Sequence, residues 1–129
     1  MTLETKQLGA LGEKIAEEYL KKQGYKILDK NFRYRRYGEI DIIAKKAGCL
    51  NFVEVKTRFI NQTESPYSPE DNITYFKQKQ LIKLAKLYLA KNHSLNDLPW
   101  QIDVIAVEIN PNTSETHLRH IEQAICDLI

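Results

Sequence analysis

A mixed α/β domain is the fold class this sequence predicts, and three observations predict it. Apolar residues recur at helical spacing between residues 7 and 24. Two β-branched runs then flank Gly48. A second helical stretch, roughly Asn72 to Lys91, is followed by another apolar run from Gln101 to Glu108. A strand pair, a crossover helix and a further strand form a parallel βαβ element, right-handed by the usual chirality. The 129 residues suit one domain, residues 1–129, large enough to bury a core without disulfides.

The first helix carries Leu8, Leu11, Ile15, Ala16, Tyr19 and Leu20 on one stripe and closes at Gly24, a residue suited to ending a helix. Gly9 and Gly12 each cost about 1 kcal/mol of helix propensity relative to Ala, so close packing or close approach to a ligand must compensate. Glu13 falls at the edge of the stripe, where it either leans toward a neighbouring sheet or stays solvated. Tyr25 to Tyr37 reads as a strand running into an irregular basic segment. There Lys26, Lys30, Arg33, Arg35 and Arg36 are interleaved with Phe32, Tyr34 and Tyr37. Cations that neutralise phosphates beside rings that stack on bases are the components of a nucleic-acid surface. A basic strand edge that blocks aggregation has the same composition.

The hairpin from Gly38 to Arg58 holds the chemistry. With Ala47 and Gly48 as its two turn residues, Lys46 faces Cys49 and Asp41 comes opposite Glu54; a three-residue turn with a bulge at Gly48 shifts that pairing by one, and in either register the two carboxylates are near neighbours. Alternation puts Ile40, Ile42 and Ala44 on one apolar face with Val53 and Val55. The other face carries Glu39, Asp41, Glu54 and Lys56. Carboxylates directly across a sheet repel, and folding has no use for them there. A divalent cation between them converts that repulsion into ligation by hard oxygen donors, the kind Mg²⁺ prefers. Lys56 would then orient or deprotonate a water, or offset charge on a phosphate. The same charges also suit the solvated face of an ordinary amphipathic hairpin, and the strands alone do not separate the two accounts.

After the hairpin, Phe59 to Asn72 reads as a polar loop with Pro66 and Pro69, placed to form a rim or gate. The second helix repeats Ile73, Lys77, Leu81, Leu84, Ala85 and Tyr88, and Lys77 and Gln80 reach toward the site from its first turns. Asp103 in the next strand either supports the site or caps a sheet end. Thr116 to Ile129 reads as an edge strand and a short helical tail, where His117 and His120 lack convincing further metal ligands.

Composition narrows the function classes. Hydrophobic content of 43% and charged content of 28% are those of a soluble globular chain. Cys49 and Cys126, in no metal or redox spacing, read as reduced thiols of a cytoplasmic protein. The opening residues lack the apolar core of a signal peptide, and no run is long enough to span a membrane. Phosphate-cradling glycine loops, a nucleophile elbow and zinc-ligand spacing are all missing from the sequence. The net charge of +2 conceals an asymmetry. Residues 1–91 hold 18 of the 19 Lys and Arg but 11 of the 17 Asp and Glu, a balance of +7, and residues 92–129 hold 1 and 6, a balance of −5. A basic body is compatible with a polyanionic partner.

Taken in order, the helix with Gly9-x-x-Gly12-Glu13, Gly24-Tyr25-x-Ile27-Leu28-x-x-Asn31-x-Arg33, Gly38-Glu39-Ile40-Asp41 and Phe52-Val53-Glu54-Val55-Lys56-Thr57-Arg58 resembles the YraN-type family of small bacterial proteins. That family is similar to archaeal Holliday-junction resolvases and to the restriction-endonuclease-like superfamily, with its Asp then Glu-x-Lys signature. The resemblance continues through Pro69, Lys77 and Ala85 to Asp103-Val104-Ile105-Ala106-Val107. It implies a core of helix, three-stranded antiparallel meander, crossover helix and further strand in a mixed sheet. It also implies Asp41 and Glu54 as ligands of Mg²⁺ or Mn²⁺, with the Val55 carbonyl as a third. Lys56 would be the water-activating or charge-offsetting residue, and Glu13 an added acidic group. The expected function is a metal-dependent endonuclease acting on nucleic acid, DNA before RNA and branched DNA among the substrates, with no membrane partner. Lys30, Arg33, Arg35, Arg36, Arg58 and Lys77 are its expected nucleic-acid contacts. A non-catalytic nucleic-acid-binding or adaptor module on the same fold is the alternative, and both monomer and homodimer are open to it.

Overall fold

The computed structural model describes residues 5–60 and 73–125. Helix α1 (Thr5–Lys22) is followed by strands β1 (Lys26–Arg33), β2 (Glu39–Lys46) and β3 (Cys49–Phe59). Helix α2 (Tyr75–Lys91) then leads through a single 3-10 turn at His93–Leu95 to β4 (Trp100–Ile109) and β5 (Thr116–Ile125). The five strands lie in the order β1-β2-β3-β4-β5, antiparallel except for the parallel pair β3 and β4 that α2 connects. This is the mixed α/β sheet that the sequence predicts, and β5 is the edge strand expected from Thr116 onward.

Two cores form, one on each face of the sheet. On one face Ala16 and Leu20 of α1 pack on Ile42, Ala44, Val53, Ile105 and Val107 of the sheet. Under α2 lie Ile43, Leu50, Phe52, Ile102 and Val104 against Leu81, Leu84, Ala85 and Tyr88. Helix α1 ends as the sequence predicts: Gly24 takes φ 91°, and the Tyr25 N–H returns to the Leu20 carbonyl at 2.9 Å. Helix α2 starts at Tyr75, later than the expected Asn72, because the Thr74 hydroxyl accepts the Lys77 N–H at 3.1 Å and caps the first turn. Asn72 itself, most of the expected polar loop with Pro66 and Pro69, and the expected tail with Cys126 lie outside the described residues.

The β2–β3 hairpin turns through Ala47 (φ 51°) and Gly48 (φ 75°), both left-handed, as a type I′ turn requires. Lys46 pairs with Cys49 and the ladder runs to Ile42 opposite Val53. The expected face assignment fails at one residue. Ile40 packs with Ile43 under α2, whereas Ile42 and Ala44 pack under α1. Strict alternation would keep Ile40 with Ile42, so the strand is irregular at Asp41, between them. The partner strand is irregular at the same level. Asn31, between the pairs Lys30↔Ile42 and Phe32↔Ile40, takes φ 53°, a conformation asparagine tolerates better than most residues.

The two glycines of α1 differ. A Cβ on Gly12 would lie 1.7 Å from Thr57 Oγ1 and 2.7 Å from Thr57 Cβ, so here the helix backbone rests directly on β3. A Cβ on Gly9 would meet nothing within 4 Å. Close packing therefore accounts for Gly12 alone. Among the described residues, no helix is long and apolar enough to cross a membrane.

The Gly12 contact sets a stability test. Gly12→Ala should destabilise by roughly 1–3 kcal/mol despite its better helix propensity, since overpacking outweighs that gain. Thr57→Ala should restore part of the loss, because it removes Oγ1 and Cγ2 but leaves Cβ. Urea unfolding of both single variants and the double variant measures the coupling.

Candidate metal centre

The irregularity in β2 gives Asp41 its surroundings. Where the β2–β3 ladder stops at Ile42↔Val53, Asp41 Oδ2 accepts the Val55 N–H at 2.8 Å, so the side chain takes a donor that a strand backbone would otherwise claim. Asp41 also shares a cluster with Glu13 of α1 and Glu39 of β2. One carboxylate oxygen from each lies within 4.8 Å of the others. Asn31 binds two of the three, its Nδ2 donating to Glu13 Oε1 and Glu39 Oε1 at 2.7 Å each. Asn31 is the β1 residue whose backbone is left-handed. Arg33 Nε holds the remaining oxygen of Glu39.

Glu54 sits beside this triangle of oxygens and is buried at 7% exposure. Two lysines flank it: Lys56 Nζ is 3.9 Å from Oε1, and Lys77 Nζ is 3.9 Å from Oε2. Neither distance is a hydrogen bond. Oε2 has no hydrogen-bond partner among the described residues although solvent does not reach it. An unsatisfied buried carboxylate oxygen is costly, which marks a place where another group belongs.

Electrostatics agree with the geometry. Asp41 is pushed from its ordinary 3.8 up to about 8, first by burial and then by the charge of Glu54, with Glu13 and Glu39 adding to it and the Val55 N–H opposing. Burial also raises Glu54, against the pull of Lys77 and Lys56. Carboxyl groups that cannot all ionise together are what a divalent cation relieves, and an all-oxygen donor set suits a hard ion. The residues that could hold such an ion are Asp41, Glu13 and Glu39, whose oxygens converge, with Glu54 beside Asp41.

The other expected site residues divide into groups. Arg33, Arg35, Arg36 and Lys77 line one cavity of about 400 Å³ with Gly38 and Glu39, which places a basic pocket against the acidic cluster. Lys30 is on the α1 side, ion-paired to Glu17 at 3.1 Å in a neighbouring cavity that Glu13 and Asn31 also line. Arg58 bonds its register partner Glu108 on β4 at 3.0 Å. Gln80 lies against Gly38, whose φ is 109°.

The aromatic residues of the basic segment are engaged in the fold. Phe32 meets Tyr88 edge-on at 5.2 Å within the α2-side core. Tyr34 and Tyr37 stack on each other at 6.2 Å. Lys91 lies 4.7 Å from the first ring and Lys83 lies 3.7 Å from the second.

Asp103 belongs to a different network. Fully buried, it accepts from Asn51 Nδ2 (2.8 Å), Gln101 Nε2 (2.9 Å) and the Gln123 N–H (3.0 Å), and pairs with His120 Nε2 at 2.8 Å. Burial would raise its pKa, but these four partners outweigh that and hold it below the ordinary value. His120 thus has carboxylates nearby after all, Asp103 and Glu122, which β5 brings beside it. Sequence reasoning placed Glu39 on the right face without giving it a role and gave Asn31 none. The i, i+2 carboxylates Glu39 and Asp41 were the available signal. Nothing local announced the left-handed Asn31.

Comparison with other proteins adds a family. Residues 12–107 match the model described as "Uncharacterised protein family UPF0102". The chain belongs to the UPF0102 family. A UPF0102 protein of Clostridium botulinum (strain Kyoto / Type A2) is 42% identical over 119 residues, covering 92% of this chain and 94% of its own. One of Clostridium tetani is 40% identical over 119 residues, covering 92% and 93%. The matched segment runs from Gly12 through the Glu54-x-Lys56 strand into β4, so it spans Glu13, Glu39, Asp41 and Glu54 of this UPF0102 chain. Among solved structures, Pyrococcus furiosus SfsA in complex with Ca²⁺ is similar at a TM-score of 0.42 and 17% identity. That similarity covers 96% of this chain and 66% of the other.

The raised Asp41 carboxyl has a consequence in pH. Its proton is held more tightly folded than unfolded, so the metal-free protein should lose stability as pH rises from about 4 to about 8 and then level off. Asp41→Asn should flatten that slope and raise the melting temperature at pH 9 by a few degrees, about 3–6 °C per kcal/mol for a chain of this size. Mn²⁺ affinity should climb over the same window, because the ion must displace the proton. Thermal scans from pH 4 to 9 with and without Mn²⁺ test this. Identical slopes in the wild type and Asp41→Asn would refute it.

Proposed function

We propose that this protein is a Mg²⁺- or Mn²⁺-dependent phosphodiesterase that cuts nucleic acid, with DNA as substrate and branched DNA included, from a single nuclease-like domain. The observation that carries it is the buried Glu54, one oxygen unsatisfied, held beside the charge-crowded Asp41 and between Lys56 and Lys77. A bound divalent ion supplies a Lewis acid that polarises the phosphate and lowers the pKa of a water.

The chain's own residues supply the rest. Asp41 and Glu54 would hold the ion, with the Val55 carbonyl as the further donor expected from the resemblance. The Val55 N–H fixes Asp41 by one oxygen and leaves the other for ligation. Lys56 lies close enough to Glu54 for its ammonium to reach a phosphate oxygen or a water held at the same centre. Glu13 and Glu39 add negative charge that strengthens the hold on the ion. In the neighbouring pocket, Arg35 and Arg36 receive flanking phosphates, and Arg33 and Lys77 join that surface to the carboxylates.

The same basic pocket favours a second reading, a nucleic-acid-binding module without catalysis. Metal-dependent cleavage of single-stranded, duplex, flap and four-way DNA separates the two. Wild-type protein should cut with Mg²⁺ or Mn²⁺ and not with chelator, and Asp41→Asn or Lys56→Ala should reduce cleavage by at least 100-fold, the low end for a lost general acid-base or electrostatic group. Cleavage that survives both substitutions removes this centre from the reaction, and binding without cleavage under either metal selects the module. In either case Arg35→Ala and Arg36→Ala should weaken binding across all sequences and each lower the salt slope by about 1.

A further inference from the structure

Helix α2 opens with two aromatic residues that stand outside both cores. Tyr75 and Phe76 are each 72% exposed, and the one other exposed large hydrophobic residue among those described, Leu11, is exposed at only 38%. A phenylalanine ring left in water forgoes the roughly 1.5–3 kcal/mol that burial would contribute. Single exposed apolar residues need no explanation, but these two are adjacent and their position is specific. The next residue, Lys77, turns inward to Glu54 at 3.9 Å and lines the basic pocket with Arg33, Arg35 and Arg36. Lys79 places its ammonium 5.0 Å from the Tyr75 ring, so the patch is cationic as well as aromatic. The rings of the β1–β2 segment do not offer the same surface. Phe32 is in the core, and Tyr34 and Tyr37 are stacked together beneath Lys91 and Lys83.

We propose that Tyr75 and Phe76 form a stacking platform for an unpaired base of the DNA strand whose phosphate enters the Asp41–Glu54 centre, so that the preferred substrate carries a single-stranded overhang or branch. This rests on the phosphodiesterase reading of that centre. Charge complementarity selects the occupant. An apolar partner protein would have to desolvate Lys77, Lys79 and the arginine pocket, whereas a polyanion with flat bases matches the cations and the rings together. A base inside a continuous duplex is already stacked on both faces and offers no ring surface, but an unpaired base does.

Binding is measured in chelator, where cleavage does not occur, with 2-aminopurine placed in a single-stranded overhang or within a continuous duplex. Wild-type protein should quench the overhang probe and bind it more tightly than the duplex. Tyr75→Ala with Phe76→Ala should weaken overhang binding about 10-fold or more, remove the quenching and leave duplex binding unchanged. Phe76→Trp should retain the preference and Phe76→Leu should lose it, which an apolar patch of any other use would not require. Both side chains stand outside the core, so circular dichroism should match the wild type. Equal overhang binding with and without the rings overturns the platform. So does a wild-type dimer that the double variant converts to monomer with DNA binding intact. The two levels separate cleanly: stacking without cleavage under any metal removes the phosphodiesterase reading alone, and ring-independent cleavage of every substrate removes the platform alone.

Discussion

Crowding the half-buried Asp41 carboxyl beside Glu54, Glu13 and Glu39 is the constraint on which the surrounding structure depends. Each neighbouring irregularity answers it. Strand β2 breaks its alternation there, sending Ile40 to one core and Ile42 to the other. Opposite, Asn31 adopts a left-handed backbone and spends both hydrogens of its amide on Glu13 and Glu39. On the next strand the Val55 N–H leaves the ladder for Asp41, and lysines from β3 and α2 straddle Glu54. These measures lessen the repulsion without removing it, since burial and the neighbouring carboxylates still push Asp41 up to about 8. A sheet that wanted only stability would have placed apolar or uncharged residues at these positions.

The same chain shows what a satisfied buried carboxylate looks like. Asp103 is fully buried yet held below its ordinary pKa, because His120, Gln123, Asn51 and Gln101 all meet it at hydrogen-bond distance. Its partners come from β3, β4 and β5, so it ties three strands together. Asp41 has one backbone donor and several like charges. Burial pushes both residues in the same direction, and the count of donors decides where each ends. This contrast leaves the Asp41 cluster with a repulsion that a cation could relieve, and the Asp103 cluster with its charge met by hydrogen-bond donors.

A similar division separates the aromatic residues. Phe32, Phe52, Tyr88 and Trp100 meet edge-on in the core beneath α2. Tyr34 and Tyr37 fasten the β1–β2 segment to α2 through its lysines, which keeps Arg33, Arg35 and Arg36 beside the acidic cluster. Rings that looked like base-stacking groups in the sequence thus position the cations. The exposed rings, Tyr75 and Phe76, are on the helix that carries Lys77.

The sequence by itself determined the mixed α/β order, a hairpin turning at Gly48, the closure of α1 at Gly24 and the nearness of Asp41 to Glu54, while the structure chose the two-residue turn at Ala47 and Gly48. What the sequence determined follows from local rules: helical or strand periodicity, and the backbone a tight turn demands. Gly12-Glu13, Asp41 and Glu54-x-Lys56 were legible as a set because their residue types conflict with an ordinary amphipathic surface. Only the tertiary structure decided which carboxylates share the cluster, where Lys77 and Arg58 point, and which network takes Asp103. Those outcomes depend on residues far apart in sequence: Glu13 meets Asn31 across 18 positions and Asp103 meets Asn51 across 52. Which oxygen is left without a partner is fixed by how helices and sheet pack, and no local pattern records it.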